Sequence, residues 1–284
     1  MSTRSDGRRV RARPATAAKR RGPASRDPHW LYQHSVQSPE VHFHFFDRVF
    51  RERNRRLPAS LKEDFCGTAL LAARWVQYRR RNTAIGVDLD APTLRWGREH
   101  NLSVLSADQR ARVELRRADV LHATRPAVDL VVAFNFSFFT FRTRDTLLAY
   151  FRSARRSLAP GGVFIGDMFG GWEAQEPMVE RTRHRGFTYL WELERFDPVA
   201  NFGRFHIHFK FDDRGGIRRA FTYEWRLWTI PEVRELLHEA GFGHVDIYWE
   251  GFDPRTGVGN GVFRRVTSTP NSAGWIGFFA ASVA

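Results

Sequence analysis

Between residues 59 and 167 short apolar extended runs alternate with helix-period runs, an order that a parallel sheet covered on both faces satisfies. Residues 59–64 form a short extended piece that enters a tight turn at Phe65-Cys66-Gly67-Thr68. Ala69, Leu70, Ala72, Ala73 and Val76 then fall on a helical run. The apolar segment TAIGVD (83–88) predicts a buried strand, followed by a helix over about 91–101 and a short strand at 113–116. VDLVVA (128–133) predicts the next strand and 143–158 the next helix. Pro160-Gly161-Gly162 then turns the chain into a strand at 163–167. Upstream, Ser38-Pro39-Glu40 has the form of a helix start, and Val41, Phe45, Phe46, Val49 and Phe50 lie along one stripe after it.

From Trp172 the texture changes. Residues 187–196, 203–211 and 217–227 alternate large aromatic with polar side chains, separated by Asp197-Pro198 and Gly215-Gly216, which predicts three antiparallel strands. A helix over 230–240 and strands at 245–249 and 275–280 follow. The expected fold is therefore α/β, a Rossmann-like doubly wound sheet of about seven strands with an antiparallel β insertion after the fifth. Its parts are a disordered basic tail (1–27), an N-terminal helical lid (28–56), the core (57–171), the cap insertion (172–228) and the C-terminal part of the core (229–284).

Charge bears on partners through its location. Of the net +14, residues 1–26 supply +8, from nine basic side chains against Asp6. That segment has almost no large apolar residues and cannot offset the entropy of ordering. A phosphate-binding arm, an organelle transit peptide and a plain solvated extension all fit it. No apolar run approaches the roughly 20 residues that span a bilayer, and no secretory apolar region opens the chain. Cys66 is the only cysteine, which rules out an intramolecular disulfide and a cysteine-built metal cluster. A cytoplasmic location without a membrane partner is the expectation.

Ribose- and adenine-bearing cofactors bind open α/β sheets at the carboxyl ends of the strands. They need a turn that brings backbone N–H groups close, a carboxylate for the ribose hydroxyls and a polar group for the adenine. Gly67 permits the close turn, Asp88 stands 21 residues later at the end of the second strand, and Asp119 follows the third. A nicotinamide-binding fingerprint would need further glycines that are absent here.

In these segments the chain resembles the class I S-adenosylmethionine-dependent methyltransferases. Glu63 to Ala69 is similar to their glycine-rich first motif, and Gly86-Val87-Asp88 to the second. Ala118-Asp119-Val120 is similar to the third motif and Asp129 to Asn135 to the fourth. Leu158-Ala159-Pro160-Gly161-Gly162 resembles the turn before the fifth strand. Phe65 stands where the first glycine of that motif is usual, and Ala69 where the last is. Residues 31–40, 63–69 and 225–229 also resemble an uncharacterised bacterial branch of the superfamily. The resemblance implies S-adenosyl-L-methionine as donor. Tyr32, Phe65, Cys66, Gly67, Asp88, Leu89, Asp119, Val120, Asn135 and Phe136 would be its contacts, with Glu63 or Asp64 meeting its amino group.

Methyl transfer from a sulfonium mainly demands alignment and exclusion of water, with a base where the acceptor carries a proton. Asn135, Phe136 and Ser137 follow the fourth strand but do not form the D/N-P-P-Y/F pattern used for planar amino groups. His34, Asn135 and Tyr223 are the catalytic candidates, His34 being either a general base or an exposed, hydrogen-bonded histidine. His206 and His208 share a strand face, yet no carboxylate at ligand spacing joins them, so no metal is expected. Cys66 is a small residue of the turn and not a nucleophile. Trp172, Tyr189, Trp191, Tyr223, Trp225 and Trp228 supply candidates for an apolar acceptor pocket. Acceptor choice is accordingly expected to reside in 172–227 and 32–50, with Tyr223 and His206 facing the ligand. The reading reached is a methyltransferase for a small, partly aromatic or apolar molecule. An RNA or protein methyltransferase guided by the basic tail, and a silent donor-binding protein, are the alternatives.

Overall fold

The computed structural model describes residues 24–123, 125–252, 255 and 259–283. Residues 1–23, most of the expected tail, lie outside the described ones. Its last residues belong to the fold. Arg26 pairs with Asp213 at 2.6 Å, and the Asp27 carboxylate accepts from the N–H groups of His29 and Trp30 at 2.9 and 3.0 Å. That cap, with Pro28 in the first turn, starts helix α1 (Pro28–Val36). Helix α2 (Pro39–Asn54) follows and buries Phe43, Phe46, Val49 and Phe50.

The core alternates as its sequence does: β1 (Ser60–Asp64), α3 (Leu70–Tyr78), β2 (Thr83–Asp88), α4 (Ala91–Gly97), a four-residue α5 (Ala107–Arg110) and β3 (Val113–Arg117). Then come β4 (Val128–Ala133), α6 (Arg144–Ser157) and β5 (Leu158–Gly170). Two expectations shift here. The helix over 91–101 breaks into a π-helical turn at Arg98–Leu102, which lets the Asn101 amide donate to the Thr68 carbonyl at 2.8 Å. The glycine turn at 160–162 lies inside β5, as a bulge: Leu158 pairs with Val128 and Val163 with Leu130.

The cap comprises β6 (Met178–His184), β7 (Phe187–Asp197), β8 (Phe202–Phe211) and β9 (Gly216–Arg226), paired antiparallel in that order. The C-terminal part adds α7 (Ile230–Glu239), β10 (His244–Phe252), β11 (Gly259–Val266) and β12 (Trp275–Ser282). The main sheet runs β11-β10-β12-β5-β4-β1-β2-β3, parallel from β5 to β3, with β12 antiparallel to β5. It therefore has eight strands where about seven are expected, and the cap has four where three are expected. Both added strands, β6 and β11, are edge strands with mostly exposed side chains, so they lack the apolar alternation that marks a half-buried strand.

The sheet carries a core on each face. Leu61, Leu130, Val132, Val163 and Ile165 pack under α2 and α3. Val131, Phe164 and Phe279 pack under α6 and α7, each large side chain contributing about 1.5–3 kcal/mol by leaving water. In the cap, Phe205, Ile207, Tyr223 and Trp225 face the cleft. By strand alternation His206 and His208 face away, contrary to the expectation for His206. His206 Nδ1 lies 2.9 Å from the Thr222 hydroxyl and its Nε2 3.2 Å from Glu194, while His208 Nε2 lies 2.7 Å from Glu192. Among the described residues no group of three metal-ligating side chains occurs.

Candidate functional site

The loop after β1 is shaped by three left-handed residues, Phe65 (φ 55°), Gly67 (φ 52°) and Ala69 (φ 55°). Two of the three are not glycine, and such residues cost of order 1–3 kcal/mol each unless their surroundings hold them. Phe65 is held by its ring, which lies edge-on to Phe141 and Tyr150 at 5.9 and 5.5 Å. Packing thus replaces the glycine usual there. Gly67 faces open space, since a side chain there would meet only Thr93, at 3.9 Å. Cys66 is buried beneath the turn, and burial pushes its thiol well above the ordinary range, which fits a filler and not a nucleophile.

Carboxylates surround this loop. Asp88, at the end of β2, accepts from the Gly67 N–H at 2.7 Å and, through its other oxygen, from the Asp90 N–H at 2.9 Å. Leu89 beside it is exposed. Glu63 and Asp64, interchangeable by sequence, face opposite sides of the sheet. Glu63 lies on the α3 side, buried, and accepts from the Ala72 N–H at 3.0 Å. Burial raises its carboxyl to about 8, against the pull of that N–H. Asp64 is engaged on the far side, 2.8 Å from the Lys62 ammonium and 3.1 Å from the Tyr150 hydroxyl, with the Lys62 and Asp64 side chains both fully buried. Asp119 follows β3 and accepts from the Leu121 N–H at 2.9 Å, while Val120 is buried in the core under α6.

Helix α1 closes over the loop, with the Gln33 amide donating to the Thr68 hydroxyl at 2.5 Å. Tyr32 on the same helix hydrogen-bonds Tyr223 of β9, and burial raises both hydroxyls above their ordinary range. His34 lies on the exposed outer side of α1. It stacks on Trp30 at 3.7 Å, its Nδ1 is 2.8 Å from the Trp30 carbonyl, and it does not line the cleft.

Beyond β4 the chain makes a second strained turn, Asn135 (φ 58°) and Phe136 (φ 59°), whose N–H groups both donate to Asp167 at 2.8 Å. This turn forms one wall of a cavity of about 770 Å³. Tyr189, Trp191, Tyr223 and Trp225 line that cavity as expected from their strands, whereas Trp172 is exposed and Trp228 is buried elsewhere, donating to the Phe141 carbonyl. Trp249 and Trp275, tilted against each other with ring centroids 4.9 Å apart, add a wall from β10 and β12 that sequence reasoning missed. Three carboxylates, Glu173, Glu180 and Glu250, reach the cavity, and none of the described residues lining it is Lys, Arg or His. Among the described residues no helix is long and apolar enough to cross a membrane.

Residues 65–162 match a family model described as a methyltransferase domain. The fold is similar to that of an S-adenosylmethionine-dependent methyltransferase from Clostridium acetobutylicum, at 16% identity and TM-score 0.63, over 90% of this chain and 98% of that one. It is also similar to the sugar N-methyltransferase KedS8 from Streptoalloteichus sp., at 21% identity and TM-score 0.60, over 96% and 98%. A third similar structure is CalS10, an amino pentose methyltransferase from Micromonospora echinaspora, at 18% identity and TM-score 0.61, over 90% and 96%. No curated protein matches.

Proposed function

We propose that this chain, which carries a methyltransferase domain over residues 65–162 in a class I S-adenosylmethionine-methyltransferase fold, methylates a small, partly aromatic molecule seated in the cap cavity. The observation that carries this reading is the cavity itself. It lies between the Asn135–Phe136 turn and the cap, is walled largely by aromatic rings, and at about 770 Å³ is the size of a small-molecule site. A wall with no Lys, Arg or His among its described residues, in a chain of net charge +14, is a poor seat for nucleic-acid phosphates. Two of the similar structures are a sugar N-methyltransferase and an amino pentose methyltransferase, which is in keeping with a small acceptor.

The loop residues fit the donor. Gly67 leaves room for close approach, Asp88 takes the ribose hydroxyls, Asp119 the adenine amino group, and Glu63 the methionine ammonium, since Asp64 is occupied on the other face. Bound there, S-adenosylmethionine supplies an electrophilic methyl group. Asn135 and Phe136 border the reacting centre, and the paired Tyr32 and Tyr223 hydroxyls orient the acceptor and help exclude water.

Glu63 gives this assignment a pH signature. Its carboxyl is held near 8 in the free protein, and an ammonium beside it favours the charged form, so donor binding below that pH releases a proton. Calorimetric affinity for S-adenosylmethionine should therefore tighten as pH rises from 6 toward 8, and Glu63→Gln should remove that slope. The acceptor reading is tested by incubating the protein and methyl-labelled donor with cell extract and separating the labelled products by size. Label in small molecules supports it. Label in RNA or protein would overturn it in favour of the macromolecular reading, and donor binding without any labelled product would leave a silent binding protein.

A further inference from the structure

We infer that Asp167 is a positioning residue, whose carboxylate holds the Asn135–Phe136 turn in the shape that meets the donor's methyl group. The inference rests on the reading above that this turn borders the reacting centre. β4 and β5 are parallel neighbours with Ala133 opposite Gly166, so Asp167 stands one residue beyond the last paired position. From there its two oxygens each accept one backbone N–H, from Asn135 and from Phe136, both at 2.8 Å. Consecutive left-handed residues aim successive N–H groups at one anion, and neither residue is the glycine that would adopt this backbone unaided. The Ser137 hydroxyl closes the turn by donating to the Phe134 carbonyl at 2.7 Å.

Asp167 is only 6% exposed, and its hydrogen-bond donors are backbone N–H groups, with no cationic side chain among them. A buried carboxylate without a counter-charge is a costly way to tie a loop, because burial raises its carboxyl to about 7. Both amides are satisfied only by the ionised form. When the carboxyl takes a proton, one oxygen becomes a donor and one N–H loses its partner. The turn is therefore held above pH 7 and released below it. The one group of the proposed donor site that titrates in that window, Glu63 near 8, faces an ammonium that S-adenosylmethionine and S-adenosylhomocysteine both carry, so it drops out of the ratio of their affinities. Tyr32, facing the turn from α1, is raised above its ordinary range and stays protonated. His42 of α2, stacked on Phe134 at 4.4 Å, is lowered by burial to about 4 and stays neutral. The adjoining residues of β4 and β12, Ala133 and Phe278, carry no titratable group.

Asp167→Asn keeps the shape but lets only one oxygen accept, setting an NH2 against the other amide. The test is calorimetry with S-adenosylmethionine and S-adenosylhomocysteine, which differ by the methyl group and its charge. In the variant the ratio of their Kd values should shift about tenfold against S-adenosylmethionine, the size of one lost hydrogen bond. In the wild type the same ratio should shift the same way as pH falls through about 7, a measurement that needs no variant to fold. The shift should be absent in Asp167→Asn. A lower Tm with both ligands weakened equally, or a ratio flat across pH in the wild type, would overturn the positioning role. If the wild type binds neither ligand, the donor-site reading itself fails.

Discussion

Replacing Asp88 with Ala should weaken S-adenosylmethionine binding about 10- to 150-fold, the equivalent of about 1.5–3 kcal/mol for a charge-assisted acceptor lost to the ribose. The side chain does two things at once. Beyond its proposed bonds to the ligand, it accepts from the Gly67 and Asp90 N–H groups and so ties the loop after β1 to the end of β2. Both amides sit where the carboxylate is partly exposed, so water can replace it in the empty protein and the fold should survive. Calorimetry on the variant, with a melting curve as control, checks both halves. An unchanged affinity in a folded protein would place the ribose elsewhere.

Lys62→Met should destabilise the fold by about 3–5 kcal/mol, because it leaves the Asp64 carboxylate buried without its counter-charge. The pH dependence gives the cause away. Burial already raises the Asp64 carboxyl, with Lys62 and Tyr150 pulling it back. Without Lys62 it rises further, and the folded state then keeps a proton that the unfolded chain gives up. A folded-state value above the unfolded one means that stability is fully present below the unfolded carboxyl range and is lost as pH rises through the folded value. The variant's Tm should therefore fall from mildly acid toward neutral pH more steeply than the wild type's. Lys62→Met with Asp64→Asn should recover much of the loss and flatten the slope, since an amide oxygen still accepts from Tyr150. A single variant with unchanged Tm would show the ion pair to be dispensable.

The strands around the loop after β1 were legible because each is a short apolar run whose length and order leave little choice, as at Thr83–Asp88 and Val128–Ala133. Edge strands were not. Met178–His184 reads MVERTRH, and its exposed side chains leave nothing for periodicity to register. Helix α1 carried a signal that could have been used, Asp27 followed by Pro28, a cap and a first-turn proline. Alternation along β1 separates Glu63 from Asp64, but which face meets the ligand depends on whether Ala72 or Lys62 lies nearby, and only the folded chain shows that. Asp167 was missed for a related reason. Its partners lie 31 and 32 residues earlier in the chain and are backbone amides, so no side-chain motif marks them. The walls from Trp249 and Trp275 likewise come from strands brought to the cleft by sheet order.

Helix α1 has only nine residues, yet it is fastened both to the loop after β1 and to the cap. Gln33 holds Thr68 in the loop after β1, Leu31 is sunk among Phe187, Ile207 and Phe209 of the cap, and Tyr32 is bonded to Tyr223. A helix this short cannot peel from one attachment and keep the other. If the loop after β1 holds the donor, as proposed, swinging α1 away from it also strips Tyr32 and Val36 from the wall of the cap cavity, so the two compartments open as one and share a single free energy of opening. Amide exchange along residues 28–36 would read that shared value directly, and a ligand in either compartment would slow it. The cavity thus keeps its full wall only while α1 stays on the loop after β1.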